Sequence, residues 1–544
     1  MSSHPISLWK QSHNKLRQRD RLLECFCLTG LFLAALILFL VNLGSLPLID
    51  WDESIVATVA KEISSGTEDA WQWIFPTLWG SPYVAQPPLI HDLIALTYSL
   101  AGINEFTTRL PGAILTAISV LLVYGIGREI FIARIPALLS ASIYLTCLPV
   151  VRLGRMAMLD GPLLCFEILA IWAILRSRRD LRWALVAGIG FCLVGFTKGF
   201  FCFQIIAIAL LFLFWDTPRL LRSVYLWTGI GLGILPLVGW YVAQWYRYSD
   251  LFNLADILHI FALQSQWTSV KVERSPWLYL LLLVEYALPW FLVFLGGLQL
   301  AKDNLHWGWG KLIVVWGGVS TVILLIISTE QPWYVLPLYP ALALAGGAKL
   351  DLIRNLPSYK NYPRNWSWGF GLMSALAAIT SLYFSLPSHY IDFSLPLIFC
   401  SVALTCGVTA VFIAKNEIKF LILLFWGLYV SLFLLFNSPH WIWELEIAES
   451  VEPVKPLASF VREYVPSGEV VYTSNDFYRP SLSFYSDRQI LAQTNEQLQK
   501  SWQHNAVDYL LLNRQTITEL ALNQNEAVQR IDSDSLPWTI LIKK

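Results

Sequence analysis

Residues 25–53 read CFCLTGLFLAALILFLVNLGSLPLIDWDE, an apolar run that ends in a cluster of acids. From Cys25 to Leu43 no residue carries a charge, and at ~1.5 Å per residue a helix of this length spans roughly 28 Å, enough to cross a bilayer. Lys10, Lys15, Arg17, Arg19 and Arg21 precede it, so the run is predicted to be an uncleaved first membrane helix with its N-terminus in the cytoplasm. Three carboxylates, Asp50, Asp52 and Glu53, follow just beyond that helix.

Two readings of these acids stand side by side. In one, Asp50 caps a helix and Glu53, three residues on, completes a capping-box-like pair in a first turn that favours acids. Ile55, Val56, Val59, Ala60 and Ile63 then form one apolar face, with Thr58, Lys61 and Glu62 opposite, which suits a helix lying in the membrane interface. In the other, Asp52 is a general base held beside the bilayer.

The rest of the chain is equally apolar. It has 544 residues, 56% hydrophobic and 14% charged, where soluble domains carry roughly a quarter charged residues. This is an α-helical polytopic membrane protein. With a formal net charge of zero, no global field argues for a nucleic-acid or acidic partner, and none is expected. The eight cysteines all lie in apolar runs and signal neither a disulfide framework nor a thiol-metal site.

Further apolar runs near 111–127, 135–151, 160–176, 183–198, 200–215, 223–242, 277–298, 311–328, 333–349, 368–386, 393–414 and 418–437 bring the predicted crossings to about thirteen. The segment Leu89–Ile103 is shorter and is interrupted by His91 and Asp92. Basic connections decide its placement. Arg128/Arg134, the Arg176–Arg182 cluster, Arg219/Arg222, Lys302/Lys311 and the loop from Lys349 to Arg364 all fall inside only if Leu89–Ile103 stays on the outer surface. The outer face then gathers a first loop at 44–110, the Arg152–Asp160 loop, Lys198, the 243–276 loop and the 329–332 turn. Trp71, Trp73, Phe75, Trp79 and Tyr83 in the first loop suit an interfacial aromatic belt, or a groove for a lipid or sugar.

After Asn437 the composition turns polar. Strands are predicted at Glu469–Thr473, Asp508–Leu512 and Trp538–Ile542, with a helix at Asn495–Trp502, giving a small extracytoplasmic α/β domain at 440–544 behind a membrane domain at 1–439.

Two more outer-face groups carry candidate chemistry. Asp160 begins an apolar run, with Arg155 nearby and Pro162 following, as an N-cap would. Lys198, in Phe196-Thr-Lys-Gly199 between two apolar runs, requires a carboxylate, a phosphate or an interfacial position.

Taken in order, Trp51-Asp-Glu53, Ala60-Lys-Glu-Ile63, Trp79-Gly-Ser-Pro-Tyr83, Pro87-Pro-Leu89, Glu105-Phe-Thr-Thr-Arg-Leu-Pro111, Met158-Leu-Asp160, Phe196-Thr-Lys-Gly199, Arg274-Ser-Pro276, Leu288-Pro-Trp290 and Tyr334-Val-Leu-Pro-Leu-Tyr-Pro340 resemble the GT-C membrane glycosyltransferases. The resemblance is greatest to lipid-A aminoarabinose transferases and related protein mannosyltransferases. It implies inverting transfer of a sugar from a polyprenyl-phosphate donor to a lipid, glycan or protein on the outer face of the inner membrane. It further implies Asp52 as the base, with Glu53 and Asp160 as further site acids. Lys198 and Tyr334 would hold the phosphate or brace the site, with Arg109, Arg155 and Arg274 as further phosphate ligands. The chain departs from the pattern at Ile55, Gln86 and Glu330-Gln331, where relatives often place cations. Ala85 replaces an expected glutamate and leaves His259 without a partner, so no required metal or other cofactor is expected. The competing function is a non-catalytic lipid-sugar binder or transporter on the same scaffold; a transporter would show paired interrupted helices in two matching halves, and no second half repeats the first.

Overall fold

A computed structural model describes residues 5–66, 70–249, 284–326, 332–357, 359–387, 392–443, 453–475, 478–504, 507–513, 516–517, 520, 528–532 and 538–543. In chain order its first helices are α1 (Pro5–Leu40), α2 (Asp52–Ser65), α3 (Leu89–Ala101), α4 (Glu105–Ile130), α5 (Arg134–Leu145), α6 (Leu148–Arg155), α7 (Asp160–Ser177), α8 (Trp183–Lys198), α9 (Phe201–Asp216) and α10 (Val224–Arg247). Helices at Phe291–Asp303, Gly308–Ile326, Tyr339–Arg354, Arg364–Ser385, Ser394–Ala414 and Lys419–Phe436 follow. Among the described residues eight helices are long and apolar enough to cross a membrane, or nine if α5 and α6, bent by 57°, count as one span. Several of the thirteen apolar runs fall outside that set. The runs at 183–198 and 200–215 form helices of 16 residues. Helix α7 carries Asp160, Glu167 and Arg176, and the run at 277–298 lies partly outside the described residues.

The chain divides into two compact units, one of residues 1–42, 85–89 and 112–438, the other of 43–84, 90–111 and 439–544. In the first, α8 packs against α7 and α10. Small residues permit close approach of the backbones: a Cβ on Gly188 would lie 2.2 Å from the Gly229 carbonyl oxygen, and one on Gly229 would lie 2.3 Å from that of Ala184.

The second unit is built on a five-stranded sheet in the order β4 (Gln489–Gln493), β3 (Val470–Ser474), β5 (Tyr509–Asn513), β7 (Trp538–Lys543), β6 (Val528–Asp532). Strand β3 runs parallel to β4 and β5, and β7 runs antiparallel to β5 and β6. Alternation along β5 divides the core: Leu511 joins Val454, Leu457, Ala458 and Val461 of the helix Val454–Tyr464 on one face, while Leu510 and Leu512 meet Leu498 and Trp502 of the helix Asn495–Gln503 on the other. That second helix opens with a capping box between Thr494 and Gln497.

The acids at 50–53 behave differently from a simple cap. Helix α2 starts at Asp52, and the carboxylate of Asp50 accepts instead from Arg479 Nε at 2.8 Å and from Ser481 N at 2.9 Å. Glu53 does reach back, but to Ile49 N at 2.9 Å. Nor does α2 present a free polar face. Thr58 is buried against Ser54 O, Lys61 pairs with Asp487 at 2.8 Å, and Glu62 accepts from Thr77 Oγ1 and Trp79 N. That last contact anchors a hairpin of β1 (Thr77–Leu78) and β2 (Ser81–Pro82). Its two central residues, Trp79 and Gly80, both have positive φ, as a two-residue type I′ turn requires.

Candidate functional site

Asp52 sits on unusual backbone. Trp51 has φ 66° and ψ −60°, and Asp52 N donates to Asp50 O at 2.8 Å. This is the rare, strained form of γ-turn, centred on an aromatic residue, and such strain persists only where surrounding contacts hold it. The contacts here are the Asp50–Arg479 pair and an edge-on packing of Trp51 against Tyr478 at 5.5 Å. The turn places Asp52, half-buried, as the first residue of α2.

Its neighbour Glu53 is committed elsewhere. Arg109 donates from Nε and Nη2 to the two Glu53 oxygens at 2.8 and 2.7 Å, from Nη1 to Leu43 O and Leu46 O at 3.0 and 2.8 Å, and from Nη2 to Pro47 O at 2.8 Å. All five guanidinium donors are thereby used, and the group also lies over the Trp441 ring. Arg109 therefore ties the 43–47 turn to the start of α2 and keeps no donor for a phosphate. Glu105, four residues earlier, accepts from Tyr485 Oη at 2.9 Å and pairs with Lys455, while Tyr485 Oη accepts from Leu48 N. The motif residues Lys61, Glu62, Glu105 and Arg109 thus all serve as scaffold within this unit.

The other unit holds a separate cluster. Asp160 is the first residue of α7, but its side chain makes no cap; it accepts from Lys198 Nζ at 2.8 Å, each side chain 7% exposed. Lys198 ends α8, where the helix dipole favours a cation, and its ammonium lies 5.0 Å from the Tyr334 ring centroid and 5.4 Å from that of Phe201. A crevice too tight to hold a water molecule lies beside Asp160, Phe201, Trp333 and Tyr334. Glu167, absent from the sequence-based candidates, lines it too. It is fully buried, and neither carboxylate oxygen has a hydrogen-bond partner among the described residues. A signal was available in the sequence. Asp160 and Glu167 are seven residues apart on one helix, hence on one face two turns apart.

Arg155 is placed as a brace. Its guanidinium donates to Leu38 O and Val41 O at the end of α1 and stacks on Phe436, 4.6 Å from the ring centroid. Arg274 and His259 lie outside the described residues. Among the described residues no three His, Cys, Asp or Glu side chains gather in a way that would hold a metal.

Residues 85–242 match the family model of dolichyl-phosphate-mannose-protein mannosyltransferases. An undecaprenyl phosphate-alpha-4-amino-4-deoxy-L-arabinose arabinosyl transferase of Pseudomonas fluorescens is 26% identical over 328 residues, covering 55% of this chain and 55% of its own length. An uncharacterized protein of Aquifex aeolicus is 25% identical over 472 residues, 85% of this chain and 87% of its own. The chain thus spans about half the length of the curated arabinosyl transferase. In three dimensions it is similar to ArnT from Cupriavidus metallidurans, solved bound to undecaprenyl phosphate, with a TM-score of 0.73 over 94% of this chain and 97% of that one at 16% identity. By fold, the chain is a multi-pass membrane protein of the GT-C class. Within that class its likeness runs to the undecaprenyl-phosphate aminoarabinose transferases and the lipid-linked mannosyltransferases.

Proposed function

We propose that the chain transfers a sugar, with inversion, from a polyprenyl-phosphate carrier to an extracytoplasmic lipid, glycan or protein. The acceptor's nucleophilic atom attacks the anomeric carbon as the bond from that carbon to the phosphate oxygen breaks, and polyprenyl phosphate leaves with the electron pair. A phosphate monoester is a weak base and needs no proton to depart, so a single base, taking the acceptor's proton, is sufficient.

Asp52 is that base. The observation that carries this assignment is the strained γ-turn that sets Asp52 at the head of α2, while Asp50 and Glu53 on either side are held in ion pairs with Arg479 and Arg109. Lys198 receives the phosphate, exchanging part of its contact with Asp160 for the leaving group as charge develops there. Tyr334 holds the ammonium in place through its ring face. Glu53, Arg109 and Arg155 serve by bracing the backbone. No metal or other cofactor is required in this scheme. The protein lies in the inner membrane with its N-terminus in the cytoplasm and residues 440–544 outside.

The test is single-turnover transfer by purified protein from a polyprenyl-phosphate sugar, with donor binding and melting temperature measured alongside. Asp52→Asn keeps the size and much of the capping capacity of the side chain, so stability changes little, whereas losing a positioned base lowers the rate by ~10²–10⁴. Near-native turnover by Asp52→Asn would remove the assignment. A wild-type chain that binds the donor and never transfers its sugar is instead a lipid-sugar binder or transporter.

A further inference from the structure

Helices α4, α7 and α9 end together in a cluster of five cations and two carboxylates. Glu129 is shared by Arg179 Nη1 at 3.3 Å and Arg176 Nε at 3.8 Å. Asp216 is shared by Lys311 Nζ at 3.4 Å and Arg178 Nη1 at 3.5 Å. Arg219, in the short 3-10 helix after α9, has no carboxylate partner among the described residues. All four ion pairs are longer than a well-formed N–H···O hydrogen bond, and the cluster carries three positive charges in excess. Between these side chains lies an open basin of about 390 Å³, lined by Arg178, Arg179, Arg219, Glu129, Asp216 and Thr217.

This arrangement contrasts with Arg109, whose donors are all used at 2.7–3.0 Å. A guanidinium offers its N–H donors in a fork that suits a phosphate, and the mutual repulsion of those around the basin falls when an anion enters. The apolar surface next to it shows what kind of anion. On the last turns of α9, Leu211 is 50%, Phe214 70% and Trp215 44% exposed, as residues facing lipid tails would be.

We propose that this basin binds the phosphate headgroup of an anionic phospholipid, with the acyl chains lying along Leu211, Phe214 and Trp215. Basic pockets among the ends of membrane helices bind such headgroups, and an amphiphile satisfies the arginines and the exposed apolar face together. The site is distinct from the Asp160–Lys198 cluster. Asp160 opens α7 and Arg178 follows its end, so the two lie a full helix length apart, about 27 Å at 1.5 Å per residue.

The experiment is native mass spectrometry of the purified full-length chain titrated with phosphatidylglycerol, with phosphatidylcholine, and with inorganic phosphate as competitor. Phosphatidylglycerol should be retained over phosphatidylcholine. Arg219→Gln should weaken its retention roughly 5-fold and Arg178→Gln/Arg219→Gln about 30-fold, following the usual contribution of an arginine near an anionic headgroup. Arg219→Gln breaks no ion pair among the described residues, so its melting temperature in detergent should match wild type, which separates lost binding from lost fold. Equal retention of the two lipids, or unchanged phosphatidylglycerol binding in both variants, would overturn the proposal. Displacement of the lipid by millimolar inorganic phosphate would also overturn it, because the basin would then be a site for the free anion.

Discussion

Arg109 grips Glu53 through two parallel hydrogen bonds, Nε to Oε1 at 2.8 Å and Nη2 to Oε2 at 2.7 Å, and neither side chain has any exposure. Because the same guanidinium also gathers the carbonyls of Leu43, Leu46 and Pro47, the pair fixes the 43–47 turn relative to the start of α2. Arg109→Ala takes the counter-ion from a buried carboxylate and a donor from each of three carbonyls, a loss of about 3–5 kcal/mol for the ion pair alone. Arg109→Lys offers three donors to five acceptors and should recover only part of it. Thermal unfolding monitored in detergent checks this. An Arg109→Ala protein that melts with wild type would show the pair to be incidental.

A second tie in the same unit is sensitive to pH. Burial alone would raise the Asp487 carboxyl, but the hydrogen bond and charge of Lys61, with Arg462 and Arg488 beyond, outweigh it and hold the group below the usual aspartate range. A carboxyl depressed in the folded state stabilises fully above its unfolded pKa and loses that contribution as pH falls through the folded value. The protection factors of amides in α2 and in residues 480–486, with the intrinsic pH dependence of exchange removed, should therefore stay flat from neutral pH down to the ordinary aspartate range and fall below it. In Asp487→Asn this acid-dependent component should vanish, and an unchanged acid profile would assign it to another group.

The legibility of these features from sequence follows their range. Strands β3, β5 and β7 and the helix at Asn495 are carried by local alternation and a capping box, and they fall where periodicity places them. Strand β4, Gln-Ile-Leu-Ala-Gln, begins and ends in glutamine, and β6, Val-Gln-Arg-Ile-Asp, has only two apolar residues in five; neither stands out before its neighbours in the sheet are known. Lys198 declared its need for an anion because a cation between two apolar runs is costly, and the structure supplies Asp160. The Glu53–Arg109 pair, by contrast, joins residues 56 positions apart, and no local pattern reports it. The strain at Trp51 is likewise invisible in a sequence, since nothing about a tryptophan signals positive φ.

Glu167 allows a test that separates scaffold from site. A carboxyl without a hydrogen-bond partner among the described residues, buried among Leu163, Leu164 and Leu336, costs stability, and replacing such a group by an apolar one of similar size recovers about 1–3 kcal/mol. Glu167→Leu should raise the melting temperature of the apo-protein. A lower melting temperature would mean that the carboxyl has a partner in the folded protein. If stability rises while transfer falls, Glu167 contributes to the reaction, and Glu167→Gln then tells whether charge or hydrogen bonding is needed.

Lys198 and Asp160 pose the question of whether the lysine exists to neutralise the aspartate or to meet the donor. Lys198→Ala alone cannot answer, because it strips a buried carboxylate of its counter-ion and costs about 3–5 kcal/mol of stability whatever else the lysine does. Adding Asp160→Asn removes the orphaned charge, so the double variant should regain most of that stability. Donor affinity separates the two roles. If Lys198 meets the phosphate, the double variant still lacks a charge-assisted contact of roughly 1.5–3 kcal/mol, a loss of about 10- to 150-fold in the Kd for a polyprenyl-phosphate sugar. If Lys198 serves Asp160 alone, donor affinity returns with stability. Binding isotherms for wild type, both single variants and the double variant complete the cycle, and recovery of wild-type affinity in the double variant would take Lys198 out of the phosphate site.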